Sequence, residues 1–510
     1  MWSSTRSSAQ RLIGIRFIVA LVLCLLMVGP SGVKQTVAAQ SAADHFGRMF
    51  NNLPPFAPQN PKVTEALIEL GKPGGIMDAK DDLSAGPFNL IVVEALNLNN
   101  PNNNAHTAGV TFMGQFLDHD MTFDTSSRLG HPANPRTSSN SRRPYFDLDS
   151  VYGDGPVGSP LLYELDDRAK LRVESNGPFE DLPRDVNGTA VIADPRNDEN
   201  LVISGLQAAF LLFHNRVVDL IREEHPTWEH EDVFRAARQQ TTWHYQWMIL
   251  REFLPAFTGP AMVDEVLVKG RRFYEPQDGE AYIPVEFQIV YRFGHSMVRP
   301  SYRANFTGNS GGQLFTMLFE NQTGSGEPTD MRGGFRSPRR FIGWQTFFRF
   351  PGFEADVRPN KRLDTKLSTP LFDLPLGAIA SGAPPTSLAA RNLLRHLTWK
   401  VPSGQQIALA MGAPVLSAAQ LADLEAIYPP FVTSTPLWFY VLREADILGG
   451  GATLGPVGGR IVAEVFIGLL QADPNSYLNQ NPPFSPSLGE TSGSFAMIDF
   501  LRFAGVAPKR

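Results

Sequence analysis

Cysteine is almost missing from this chain of 510 residues, which has one, Cys24, inside an amino-terminal apolar run. Beyond that run no disulfide can form, and no thiolate is there to ligate zinc, an iron–sulfur cluster or haem iron. Loss of a thiol to oxidants is excluded with it. A basic surplus is absent as well. The net charge is −6, which removes the electrostatic footprint of nucleic-acid binding. Period-2 alternation of apolar and polar residues is scarce, so a sandwich or barrel is not expected. No repeat of solenoid type recurs along the chain.

What is present fits a globular protein, with 43% hydrophobic and 10% aromatic residues. The amino terminus carries Arg6, Arg11 and Arg16, then the apolar run Phe17 to Val28, then Val37-Ala38-Ala39. That order reads as a secretory signal peptide over 1–39 and implies a secreted or periplasmic product. The run, roughly a dozen residues, falls short of the about 20 a spanning helix needs. No stable membrane span is therefore expected after cleavage; an uncleaved anchor is the alternative. Leu23 stands where a lipoprotein site would want a small residue, so lipidation of Cys24 is not expected. N-x-S/T sequons start at Asn187, Asn305 and Asn321.

The remainder, 40–510, is expected to form one large, mainly α domain with long irregular connections. Residues 40–110 are loop-rich. Leu206, Ala209, Phe210, Phe213, Val217, Leu220 and Ile221 recur at helical spacing, and Pro226 closes that helix. A second helix is expected from about Glu231 to Phe253, stopping at Pro255, and a third over about 457–471, after Gly449-Gly450-Gly451. Residues 473–510 are expected to wrap the surface. Connections as long as 305–385 are unusual in a compact domain. A large prosthetic group that supplies part of the core would tolerate them.

The most informative stretch is Met113-Gly-Gln-Phe-Leu-Asp-His-Asp-Met-Thr-Phe-Asp124. It sets Asp118 and Asp120 on either side of His119 in an otherwise apolar segment. Buried ionisable groups are costly unless paired, and functional sites are where that cost is tolerated. On a helix Gln115 and His119 share a face, while Asp118 and Asp120 diverge. Downstream come Ala193-Asp-Pro-Arg-Asn-Asp-Glu199, His214-Asn-Arg216, Tyr291-Arg-Phe-Gly-His-Ser-Met-Val-Arg-Pro300 and Ala390-Arg-Asn-Leu-Leu-Arg395.

In this order the segments resemble the animal-type haem peroxidase superfamily, in the branch of myeloperoxidase and lactoperoxidase. The resemblance implies that fold and haem b as cofactor. It implies His295 as the axial iron ligand, with Asn392 as the partner of its second nitrogen and Arg292 beside it. Gly294 would let this segment approach the haem closely. His119 would be the catalytic base, Arg196 the charge stabiliser and Gln115 a pocket residue. Asp118 and Glu199 would form ester links to haem methyls. Asn200 stands where some mammalian members carry a methionine, so no sulfonium link and no strong halide oxidation are expected.

Asp120 resembles a calcium ligand of the family, with partners in Arg143-Pro-Tyr-Phe-Asp-Leu-Asp149. Asp147 and Asp149 would give carboxylates, and Arg143 and Tyr145 carbonyls. The implied activity is reduction of hydrogen peroxide at the expense of a small organic or (pseudo)halide donor. Two alternatives stay open. One is a fatty-acid dioxygenase of the same superfamily, whose members hold a radical tyrosine where this chain has Arg292, with Tyr291 displaced by one. The other is an extracellular adhesion or binding protein.

Overall fold

Helices organise the chain because long periodic segments are punctuated by strong stops. The computed structural model describes residues 45–175, 180–276, 280–306, 313–320, 328–334, 337, 339–379 and 381–508. The expected signal peptide and the Asn321 sequon lie outside them. Residues 41–510 form one compact unit. Among its helices, those that build the site and the core around it are α1 (Pro61–Leu70), α2 (Ala108–Met121), α3 (Leu201–Glu224), α4 (His230–Met248), α5 (Val285–Val290), α6 (Leu388–Trp399), α7 (Leu437–Ile447), α8 (Pro456–Ala472) and α9 (Met497–Phe503). Strands are short and pair in twos. Phe46–Gly47 runs parallel to Ile283–Pro284, and Asn102–Thr107 and Ser301–Asn305 run antiparallel to Pro359–Lys361 and Leu314–Met317.

Local chemistry accounts for the ends. At α1, Asn60 accepts a 3.0 Å bond from the Val63 amide and Pro61 opens the first turn. At α3, the Asn200 side chain accepts from the amides of Val202 and Ile203. Helix α3 is long and apolar enough to cross a membrane, but most of it is buried inside the protein. It packs against α2, where Phe116 and Phe210 stack at 4.8 Å. Helix α8 is buried from Val457 to Leu470 and forms the centre of the core with α5 and α7. Each fully buried Leu, Ile or Phe there contributes roughly 1.5–3 kcal/mol.

Two expectations need correction. The second helix does not stop at Pro255. It passes through a π-helical segment, Ile249–Phe253, into Leu254–Thr258, and ends at Gly259. Pro255 lacks the N–H that would bond back one turn, and it falls just past the π-helical segment, where the continuous helix absorbs that break. The carboxy-terminal stretch does more than wrap the surface. Helix α9 buries Met497, Phe500 and Leu501, and Phe500 meets Phe210 and Phe213 of α3 at 4.4 and 5.1 Å.

Candidate functional site

Helix α2 is so densely packed that nearly every side chain in it is buried, Gln115 and Asp118 excepted. His119 is buried, and its Nδ1 lies 2.9 Å from Asn197 Oδ1. The opposite nitrogen, Nε2, is 3.5 Å from Glu199 Oε1, on a side chain 41% exposed. Gln115 donates to that same Glu199 oxygen. Asn200, besides capping α3, donates to Gln115 Oε1 at 3.2 Å. Asn200 is thus both a helix cap and a holder of Gln115, the second a donor's task that a thioether cannot perform.

Arg196 sits in a short turn, Pro195–Asp198, capped by Asp194. Its guanidinium grips Asp194 at 2.7 and 3.0 Å, donates to the His119 carbonyl at 3.0 Å, and stacks 4.1 Å over Phe123. It therefore bears on the main chain of His119 and not on its ring. Burial raises the Asp194 pKa, but the Arg196 bond outweighs that and holds it at about 2. The Arg196 guanidinium is kept charged in turn.

The proximal segment continues α5 as a 3₁₀ turn, Tyr291–Met297, with His295 near its end. Tyr291 donates to the Gly114 carbonyl at 3.0 Å, which ties this turn to α2. His295 Nδ1 lies 2.7 Å from the carboxamide nitrogen of Asn392, whose oxygen accepts from Arg292 at 3.4 Å. The two side chains are in contact, with the amide nitrogen toward the ring. A 180° turn of the carboxamide puts its oxygen on Nδ1–H and frees the Nε2 lone pair, the form a metal requires. Burial, then Arg292, pushes the His295 pKa to about 3, so the ring is neutral. Burial, then Arg395, brings Arg292 down to about 10.

These residues fit a large flat group. Protein encloses Arg292 and His295, yet both keep accessible surface. A Cβ built on Gly294 would meet nothing within 4 Å. The Arg292 Nε is buried and unpartnered. The Asp118 carboxylate, facing Tyr291 and Arg292 electrostatically, makes no hydrogen bond among the described residues.

Asp120 points elsewhere. With Asp147 and Asp149 it forms a cluster whose oxygens lie within 4.8 Å of one another. Asp120 accepts from Ser150 Oγ (3.1 Å), the Leu148 amide (3.2 Å) and Tyr245 (3.1 Å) of α4. Burial, then Asp149 and Asp147, raises its pKa well above the carboxylate range; burial and Asp147 bring Asp149 to about 6. Arg143 extends its guanidinium to Asp147 at 3.0 Å, and its carbonyl accepts from the Tyr145 amide. The His214-Asn-Arg216 triple is scaffolding. His214 bonds Tyr152 and the Ala169 carbonyl, Asn215 pairs with the Leu171 backbone, and Arg216 caps Phe503.

Sequence reasoning missed Asn197 and Tyr245. Asn197 lies inside the Arg-to-Glu turn, and only its proximity to both would have marked it. Tyr245 belongs to α4, 125 positions from Asp120, and no local pattern marks it.

Residues 124–335 match the animal haem peroxidase family. The chain is 26% identical over 183 residues to myeloperoxidase of Mus musculus, covering 32% of this chain and 25% of that protein. It is 33% identical over 102 residues to alpha-dioxygenase 2 of Arabidopsis thaliana, covering 20% and 15%. The matches thus span a quarter or less of these relatives. Peroxidase A of Dictyostelium discoideum shares the fold, with a TM-score of 0.57, 16% identity, and coverage of 92% of this chain and 99% of that one.

Proposed function

We propose that the chain, whose residues 124–335 match the animal haem peroxidase family, is a haem peroxidase that reduces hydrogen peroxide while oxidising a small organic or (pseudo)halide donor. The observation that carries this reading is a half-buried, neutral His295, next to the open space over Gly294, in a turn that Tyr291 ties to the helix carrying His119. His295 would hold haem b through Nε2, and Asp118 and Glu199 are the carboxylates available for ester links. Bound there, haem supplies the iron that takes up peroxide and stores the oxidising equivalents.

The chain's own residues handle the proton. His119 Nε2 accepts it from the entering oxygen and returns it to the leaving one. Arg196 fixes the backbone of that histidine and lends positive charge to its surroundings. Gln115 holds Glu199 against the same pocket. Arg292 in place of a radical tyrosine, and the commitment of the Tyr291 hydroxyl to Gly114, support peroxidase chemistry over fatty-acid oxygenation. Asp120, Asp147 and Asp149 would bind calcium, with carbonyls of Arg143 and Tyr145 available nearby. The amino-terminal apolar run supports export.

A pyridine haemochrome assay together with a haem stain on a denaturing gel reports the cofactor and its attachment. Peroxide-dependent oxidation of a phenolic donor then reports the activity, expected in the wild type and lost in His295→Ala. Oxygen uptake with an unsaturated fatty acid, without added peroxide, would move the assignment to a dioxygenase. A protein with no Soret band would sink both and leave the binding role.

A further inference from the structure

Asn197 is fully buried and has no part in the residue set inherited from the family pattern. Three groups surround its carboxamide. Nδ2 donates to Gln207 Oε1 at 2.8 Å and to the Ser150 carbonyl at 3.4 Å; Oδ1 lies 2.9 Å from His119 Nδ1. A backbone carbonyl can only accept, so the end facing Ser150 must be the N–H₂ end. The oxygen then faces the histidine and can only accept from it. Neutral imidazole carries one proton, and its position follows from the hydrogen bond the ring makes.

We propose that Asn197 is the positioning residue of the distal histidine: its oxygen holds the His119 proton on Nδ1 and so leaves Nε2 as a lone pair toward Glu199 and the pocket. The arrangement extends to the acidic cluster. Ser150, whose carbonyl orients the Asn197 amide, also donates its hydroxyl to Asp120 Oδ1 at 3.1 Å. Residues of three separate segments thereby fix one tautomer. The inference deepens the peroxidase reading and rests on it for its consequence, though not for the tautomer itself.

Nitrogen-15 NMR decides the tautomer. The full chain is labelled at histidine imidazoles and loaded with diamagnetic zinc protoporphyrin, and His119 is assigned by its loss in His119→Gln. The expected spectrum shows Nδ1 protonated and Nε2 unprotonated. In Asn197→Ala the proton shifts toward Nε2. In the haem-loaded protein the same variant reacts with hydrogen peroxide about 10–100-fold more slowly, as loss of an orienting partner does elsewhere, with an unchanged Soret band. Asn197→Asp, which keeps an acceptor on Nδ1, restores most of the rate.

A wild-type His119 protonated on Nε2 overturns the proposal, and this measurement stands even where the alanine variant fails to fold. An alanine variant with both tautomer and rate unchanged overturns it equally. A haem-loaded wild type that shows the expected tautomer but does not consume peroxide upholds the role of Asn197 and removes the peroxidase reading instead.

Discussion

At the scale of single residues, chemistry shows in type and position, and partners do not. His119, Arg196, Glu199 and His295 stand out in the sequence as candidates because each lies in an ordered motif. Asn197 could not, because its value comes from touching His119, 78 positions away. Gly294 falls between. Its place beside His295 marks it for close approach, and the open space over it makes that concrete. Gly294→Leu should fill the void without disturbing the haem-free protein. The expected cost to the fold is within about 0.5 kcal/mol. Haem affinity, followed by Soret titration, should drop at least about tenfold, since the leucine competes for haem volume. A Leu variant that takes up haem like the wild type would remove Gly294 from the cofactor wall.

At the scale of elements, periodicity found the long helices and punctuation found their ends, except where packing overruled it. Pro255 signals a stop in the sequence, and a π-helical segment carries the helix through it. Helix α9 was hidden by the prolines and glycines before it, and its anchor is Phe500 against α3. The junction of α7 and α8 shows another tertiary device. Glu444 is fully buried on α7 and accepts from the amides of Val457 and Gly458 at 3.0–3.2 Å, capping α8 from outside. A Cβ on Gly455 would lie 2.3 Å from the Glu444 side chain, so glycine makes the cap possible. Burial raises the Glu444 pKa to about 7 against an ordinary value of 4.5. A raised pKa means folding favours the protonated form. That stability is complete below about pH 4.5 and lost as pH rises through 7. Glu444→Gln keeps an acceptor and removes the titration. Its melting temperature should fall less than the wild type's between pH 5 and 8. Parallel curves for the two proteins would discount the group.

At the scale of the whole molecule, the acidic cluster joins parts that share no local signal. Asp120 comes from α2, Asp147 from a loop, Asp149 from the start of the short helix Asp149–Tyr152, and Tyr245 from α4. The sequence offered the carboxylates as ligands through family likeness, and the fold brings them within 4.8 Å. Burial, and then repulsion from Asp147, pushes Asp149 up to about 6. A divalent ion would replace that repulsion with attraction, hold α2 to the segment carrying Asp147 and Asp149, and steady the helix that carries His119. Binding to the folded state alone stabilises by about 2.7 kcal/mol at a hundredfold excess over Kd. Calcium added to the exhaustively chelated protein should therefore raise the melting temperature by a few degrees and restore peroxide turnover. The rise should be greater at pH 7.5 than at pH 5, because at the lower pH protons occupy Asp149 in the folded state and compete with the ion. Magnesium, which demands a tighter octahedral shell, should substitute poorly. Identical melting curves with and without calcium at pH 7.5 would mean that Arg142 and Arg143, paired with Asp149 and Asp147 at 3.6 and 3.0 Å, neutralise the cluster by themselves.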